Sequence, residues 1–157
     1  MRLSPDGVVF LEGEEGRRRV EYPDAAGNPT IGVGHLLTGA EIASKTIMIN
    51  GTPVYYAGGL TDDQITALLT QDCAAREQAL SALVVCPLGQ HQFDALFSLY
   101  YNIGDTNFKK SSLLKILNGG VWTALEAAWL MWKWAGGKPI LLGRRQREYQ
   151  LWGTPDV

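Results

Sequence analysis

The chain has 157 residues, 46% of them hydrophobic and 19% charged, and a formal net charge of −2. That length and balance describe one globular domain, or two small lobes sharing a core, and exclude a disordered or membrane-embedded chain. Residues 1–75 hold five Lys/Arg against ten Asp/Glu and residues 76–157 nine against six, so the basic half suits an anionic substrate, while no basic-aromatic stripe points to nucleic acid.

Cys73 and Cys86 belong to no CxxC or Cys/His cluster, so no metal, cofactor, redox role or disulfide is expected. Cys73 falls on an apolar helix stripe, where a thiol acts as a small hydrophobe. Near the N-terminus the apolar run Val8–Leu11 is too short for a signal peptide or a spanning helix, so neither an export segment nor a membrane anchor is expected.

Ser4-Pro5 starts a helix, with Ser as N-cap and Pro at the first helical position. The helix is predicted over Pro5–Glu15, with Val8, Val9 and Leu11 as its buried face and Gly16 as its stop. Glu15 then stands at the negative end of the helix dipole, a position suited to a proton donor. Residues 20–35 alternate around Asp24-Ala-Ala-Gly-Asn-Pro29 and predict a hairpin centred near Gly27, with Asp24 and Thr30 facing each other across it. A second strand pair is predicted at Thr46–Ile49 and Thr52–Tyr56, joined by Asn50-Gly51, with Pro53 confining its strand to an edge.

Thr61 and Gln64 form a capping box that opens a long helix striped by Ile65, Leu68, Leu69, Cys73, Leu80 and Leu83, closed before Pro87. Gln90–Asn102 is helical, with Phe93, Leu96, Phe97, Tyr100 and Ile103 at core spacing and a stop at Gly104. Ser111 or Ser112 caps a short helix ending at Asn118-Gly119-Gly120. Thr123 and Glu126 suggest a further capping box before Leu125, Ala128, Trp129 and Trp132. After Gly136-Gly137-Lys138-Pro139 a last helix runs from about Leu141 to Trp152. Most of the tryptophans read as core.

Glu15, Asp24 and Thr30 set two carboxyl groups and a hydroxyl on a helix end and a neighbouring hairpin. Breaking a glycosidic bond needs two carboxyl groups flanking it, one giving a proton and the other steering a nucleophile. Glu12 and Glu14 read as a solvated helix face.

The string E-G-x5-Y-x-D-x5-T-I-G-x-G-H, carried by Glu15, Gly16, Tyr22, Asp24, Thr30, Ile31, Gly32, Gly34 and His35, resembles the signature of the phage-type lysozymes, the T-even phage lysozyme-like endolysins of glycoside hydrolase family 24. Further likeness lies in Gln92-Phe93-Asp94-Ala95-Leu96, Tyr101-Asn102-Ile103-Gly104, Phe108, Ser111 and Gly143-Arg144-Arg145-x-Arg147-Glu148. The resemblance implies an α+β lysozyme-like fold in a single domain: a hairpin-containing lobe at 16–60, a linking helix at 61–83, and a helical lobe of 1–15 plus 84–157, with a cleft between lobes.

It also implies hydrolysis of the β-1,4 bond between N-acetylmuramic acid and N-acetylglucosamine in peptidoglycan, in the inverting manner. Glu15 would be the general acid, and Asp24 and Thr30 would place and activate the attacking water. Asn102, Leu36, Phe108 and Ser111 fall at substrate-binding positions, although Asn102 reads equally well as a helix C-cap. His35 is expected to be structural and paired with Asp72. Arg144, Arg145 and Arg147 read as surface charges or, by resemblance, include one partner for Glu15. The implied setting is a monomeric endolysin that waits in host cytoplasm for a holin to open the membrane. A lytic transglycosylase and a non-catalytic wall-binding module are the alternatives. Pro23, directly before Asp24, and the 39–60 segment depart from the family pattern.

Overall fold

The computed structural model describes residues 1–155. In chain order its elements are α1 (Pro5–Glu15), β1 (Arg18–Pro23), β2 (Pro29–Gly32), β3 (His35–Leu36), α2 (Gly39–Ser44), β4 (Thr46–Ile49) and β5 (Thr52–Tyr55). They continue as α3 (Asp62–Leu83), α4 (Gln90–Ile103), α5 (Asp105–Lys110), α6 (Ser112–Gly119), α7 (Leu125–Leu130) and α8 (Leu142–Trp152). Two antiparallel sheets, β1-β2-β3 and β4-β5, accompany the helices, so the architecture is α+β. The chain forms two compact units, one of residues 12–75 and one of residues 1–11 with 76–157.

The 12–75 unit is built on Ile31, Val33, Leu37, Ile47, Ile49, Leu60, Ile65, Leu68 and Leu69, all buried. Its β4–β5 turn has Asn50 at φ 51° and Gly51 at φ 78°. Two successive left-handed residues define the type I′ turn, whose twist matches that of paired strands. The sequence reading missed α2, although its signature is in the chain: Glu41 N donates to Thr38 Oγ1 (3.2 Å), and Thr38 N donates to Glu41 Oε2 (2.8 Å). The capping box at α3 forms as expected, through Gln64 N to Thr61 Oγ1 (3.2 Å) and Thr61 N to Gln64 Oε1 (2.9 Å).

In the other unit α1 begins where Ser4 Oγ accepts from Gly7 N (2.9 Å). The buried Asp94 carboxylate on α4 accepts from Ser4 N (3.0 Å) and Gln90 Nε2 (2.8 Å), as well as from the Ser4 hydroxyl. Gly7 lies against this group; a Cβ there would come within 2.5 Å of Asp94 Cγ. The buried face of α1 therefore runs through Gly7 and Leu11, and Val9, expected inside, is 68% exposed. The α4 core residues Phe93, Leu96, Phe97 and Tyr100 are buried as their spacing predicts, and α4 packs on α8.

Trp129 and Trp152 are buried with ring centroids 5.6 Å apart, whereas Trp134 is mostly exposed. Helix α5 was not expected; Gly104 ends α4 and its carbonyl then accepts from Phe108 N (3.0 Å). The capping box expected at Thr123 does not form. Helix α7 begins at Leu125 with Ala124 as its N-cap residue, one position later than expected, after Leu125 N has turned back to Trp122 O (3.1 Å). No disulfide joins Cys73 and Cys86, and burial pushes the Cys86 thiol up. Among the described residues no helix is long and apolar enough to cross a membrane.

Candidate active site

Helix α1 stops where Gly16 takes φ 75°, a conformation that costs an L side chain and that glycine adopts freely. Gly16 N donates to Glu12 O (2.9 Å), and this turn fixes Glu15, half-buried, as the last helical residue. Arg17 follows at once: it pairs with Glu12 (2.9 Å) and reaches Asp62 O (2.6 Å) and Thr66 Oγ1 (2.8 Å) on α3. Arg19 pairs with Asp62 (2.6 Å), and Leu60 N donates to Arg19 O (2.8 Å). These contacts peg the start of β1 to α3 immediately after the acid.

The β1–β2 register pairs Tyr22 with Thr30 and Pro23 with Pro29. The ribbon is thus centred on Ala26, one residue before the expected Gly27. The physical reason lies in Asp24. Its Oδ1 accepts from both Ala26 N (2.9 Å) and Asn28 N (2.8 Å), and its own N donates to Asn28 O (2.9 Å). Asp24 therefore opens the turn opposite Asn28, and the residue facing Thr30 is Tyr22. Asp24 and Thr30 become diagonal neighbours. The Asp24 Oδ2 receives one long contact from Asn28 Nδ2 (3.4 Å). Thr30, buried, donates its hydroxyl proton to Asn28 O (2.9 Å), which turns its lone pairs to acceptor duty.

Tyr22 was not among the site residues that the sequence singled out. Its phenol is raised, first by burial and then by the charge of Glu15; Arg18 works against this and Asp24 adds to it. The register sets Tyr22 opposite Thr30, and the charges of Glu15 and Asp24 both act on its phenol. The signal was present, since Tyr22 belongs to the motif, but the expected register gave it no partner.

His35 on β3 lies with Nδ1 2.8 Å from Asp72 Oδ2 on α3 and Nε2 3.2 Å from Glu41 Oε2 on α2. Burial works against a charged ring, but the hydrogen bond and charge of Asp72, then those of Glu41, outweigh it and raise His35 above its ordinary value. The ring ties three elements of the small unit together. Glu41 is a partner that the sequence reading did not foresee.

Of the expected substrate-binding residues, Leu36 on β3 is 51% exposed. Phe108 is fully buried, edge-on to Tyr100 at 5.2 Å. Ser111 is also buried, its hydroxyl donating to Phe108 O (2.7 Å) and accepting from Leu114 N (3.1 Å) as the N-cap of α6. Phe108 thus packs in the core, and Ser111 caps α6. Asn102 does not cap α4, which ends at Gly104; its Oδ1 accepts from Arg145 Nη2 (2.8 Å). Arg144 and Arg145 are buried, contrary to the surface reading, while Arg147 is exposed. The two buried arginines share Glu148, at 2.9 and 3.2 Å. Among the described residues no group of three or more His, Cys, Asp or Glu is placed to hold a metal ion.

Solved structures with this architecture are lysozyme-like. A single-site mutant of P22 lysozyme superposes with a TM-score of 0.78 at 41% identity, covering 98% of this chain and 99% of that one. The muramidase domain of SpmX from Asticaccaulis excentricus gives 0.76 at 30% identity, covering 98% of this chain and 99% of that one. Among characterised proteins, the endolysin of Salmonella phage P22 is 41% identical over 152 residues, covering 96% of this chain and 97% of its own. The endolysin of Acyrthosiphon pisum secondary endosymbiont phage 1 is 36% identical over 157 residues, with 96% and 97% covered. The family model described as phage lysozyme matches residues 12–148, and the chain belongs to that family.

Proposed function

We propose that this chain is an endolysin, a glycoside hydrolase that cuts the β-1,4 bond between N-acetylmuramic acid and N-acetylglucosamine in peptidoglycan. Glu15 gives its proton to the glycosidic oxygen as the bond to the anomeric carbon breaks. Water held by Thr30 attacks that carbon from the opposite face and passes its proton to Asp24. The product is then inverted, with the two carboxyl groups ~6.5–9.5 Å apart across the water. Asp24 Oδ2 is the basic atom in this scheme, because Oδ1 already takes two backbone N–H bonds.

The observation that carries the reading is the Asp24–Asn28–Thr30 turn. It commits the Thr30 proton to Asn28 O and so leaves oxygen lone pairs to hold a water. That feature favours hydrolysis over transfer to the sugar's own hydroxyl. Asn102 and Leu36 are proposed to contact the glycan, and the His35–Asp72–Glu41 cluster to hold the ribbon in shape. The setting is phage lysis of the host, with the enzyme active on the cell wall, reaching it as a monomer from host cytoplasm through holes opened by a separate holin.

Clearing of permeabilised Gram-negative cells, compared between the native chain and Glu15→Gln, tests this. A general acid contributes about 10²–10⁴-fold, so the variant should clear at least roughly a hundredfold more slowly while melting normally. Equal rates would end the assignment. Mass spectrometry of the products should show reducing N-acetylmuramic acid ends; 1,6-anhydro ends would mean a transglycosylase.

A further inference from the structure

The β1–β2 ladder contains an irregularity: Arg18 pairs with Gly32 and Tyr22 with Thr30, so four residues of β1 run against two of β2. In a regular strand, positions four apart lie ~13 Å apart. Here they bridge partners only two residues apart, a span of ~7 Å. The bulge folds Arg18 back on Tyr22, and the guanidinium carbon lies 5.4 Å from the centre of the phenol ring. Bulges of this kind disrupt the ladder and recur beside active sites, where they re-aim a side chain.

The ring so aimed shares a ribbon face with the Thr30 side chain, since directly paired residues of antiparallel strands project the same way. Asp24 lies two residues beyond Tyr22 and Glu15 at the end of α1, and both charges reach the phenol. Arg18 brings an opposing charge.

We propose that Tyr22 is a positioning residue: its hydroxyl, held at the Thr30 face by the Arg18–Tyr22 stack, orients the Asp24 carboxylate and the water between them. The inference rests on the hydrolase reading of the same site. A phenol that stays protonated donates one hydrogen bond and adds no charge to a space that already holds two carboxylates.

The test is Tyr22→Phe, which keeps the ring, the Arg18 stack and the strand pairing and removes the hydroxyl alone. Steady-state kinetics on solubilised peptidoglycan should show kcat reduced roughly tenfold, the worth of one ordinary hydrogen bond. KM should stay within about twofold and the melting temperature should hold. The limbs of the pH–rate profile should move, because each reports a carboxylate whose neighbour has changed. A native kcat with an unmoved profile overturns the inference, and so does a loss confined to KM, which would make Tyr22 a substrate contact. If Tyr22→Phe fails to fold, Arg18→Met frees the ring instead and should move the profile the same way; an unmoved profile again overturns it. Glu15→Gln, assayed in parallel, separates the two ideas. If it is as active as the native chain, the hydrolase reading itself fails. If it is inactive while Tyr22→Phe is native, only the role of Tyr22 falls.

Discussion

Replacing Glu148 by glutamine changes one atom in a buried polar cluster. The Glu148 side chain is fully buried. Its Oε1 accepts from Ser98 Oγ (2.8 Å) and Arg144 Nε (2.9 Å), and its Oε2 from Trp129 Nε1 (3.1 Å), with Arg145 Nε at 3.2 Å. Every neighbour is a donor, so the amide N–H₂ of glutamine must meet donors whichever way it turns. The Ser98 hydroxyl alone can rotate to accommodate it. Arg144 and Arg145 also lose the counter-charge they share. Removing one partner of a buried pair costs about 3–5 kcal/mol, a large share of the ~5–15 kcal/mol that holds a domain together. At ~2–4 °C per kcal/mol for a chain of this size, Glu148→Gln should melt roughly 6–20 °C lower. Thermal unfolding followed by circular dichroism measures this, with the exposed Glu126→Gln as control. A shift below about 3 °C would refute the argument that the carboxylate charge organises this cluster.

His35 should give stability a pH dependence. Its folded value is raised above the unfolded value of about 6.5, so its contribution is complete below that and fades as pH rises through the folded value. His35→Gln should cost roughly 1–3 kcal/mol at pH 6, between the worth of exposed and buried pairs, and progressively less above neutrality. Urea midpoints from pH 6 to 9 check this, and a cost independent of pH would contradict it. Gly7→Ala should destabilise by about 1–3 kcal/mol, because its methyl would enter the buried Asp94 carboxylate; an unchanged melting temperature would show that Asp94 moves aside freely. Thr38→Ala removes the N-cap of α2 and should cost about 0.5–2 kcal/mol, read as a lower urea midpoint with unchanged slope.

What the sequence made legible was local chemistry that closes on itself. Ser4-Pro5 and Gly16 bounded α1, Asn50-Gly51 turned its hairpin, and Thr61 with Gln64 opened α3, because each is decided within a few residues. Where a pattern was right but its partner lay elsewhere, the reading slipped. The turn at Asp24 is centred by carboxylate bonds to Ala26 and Asn28, which outweighed the pull of Gly27 and moved Thr30 opposite Tyr22. Thr123 and Glu126 have capping-box spacing, yet the turn back to Trp122 delays α7. Arg144 and Arg145 could be read as surface charge, beside the alternative of a partner for Glu15, because Ser98, Trp129 and Asn102, which receive them and their glutamate, come from distant α4 and α7. The proposed site triplet was readable as a motif; its hydrogen bonds were not.

The stitching of Leu3 to Glu77 (2.8 Å) and of Ser4 to Asp94 (3.0 Å) constrains how this chain can be made. The first eleven residues belong with the last eighty-odd, so they leave the ribosome early and must stay unsatisfied until their partners have been synthesised. Residues 12–75, by contrast, hold their own core and can become compact during translation.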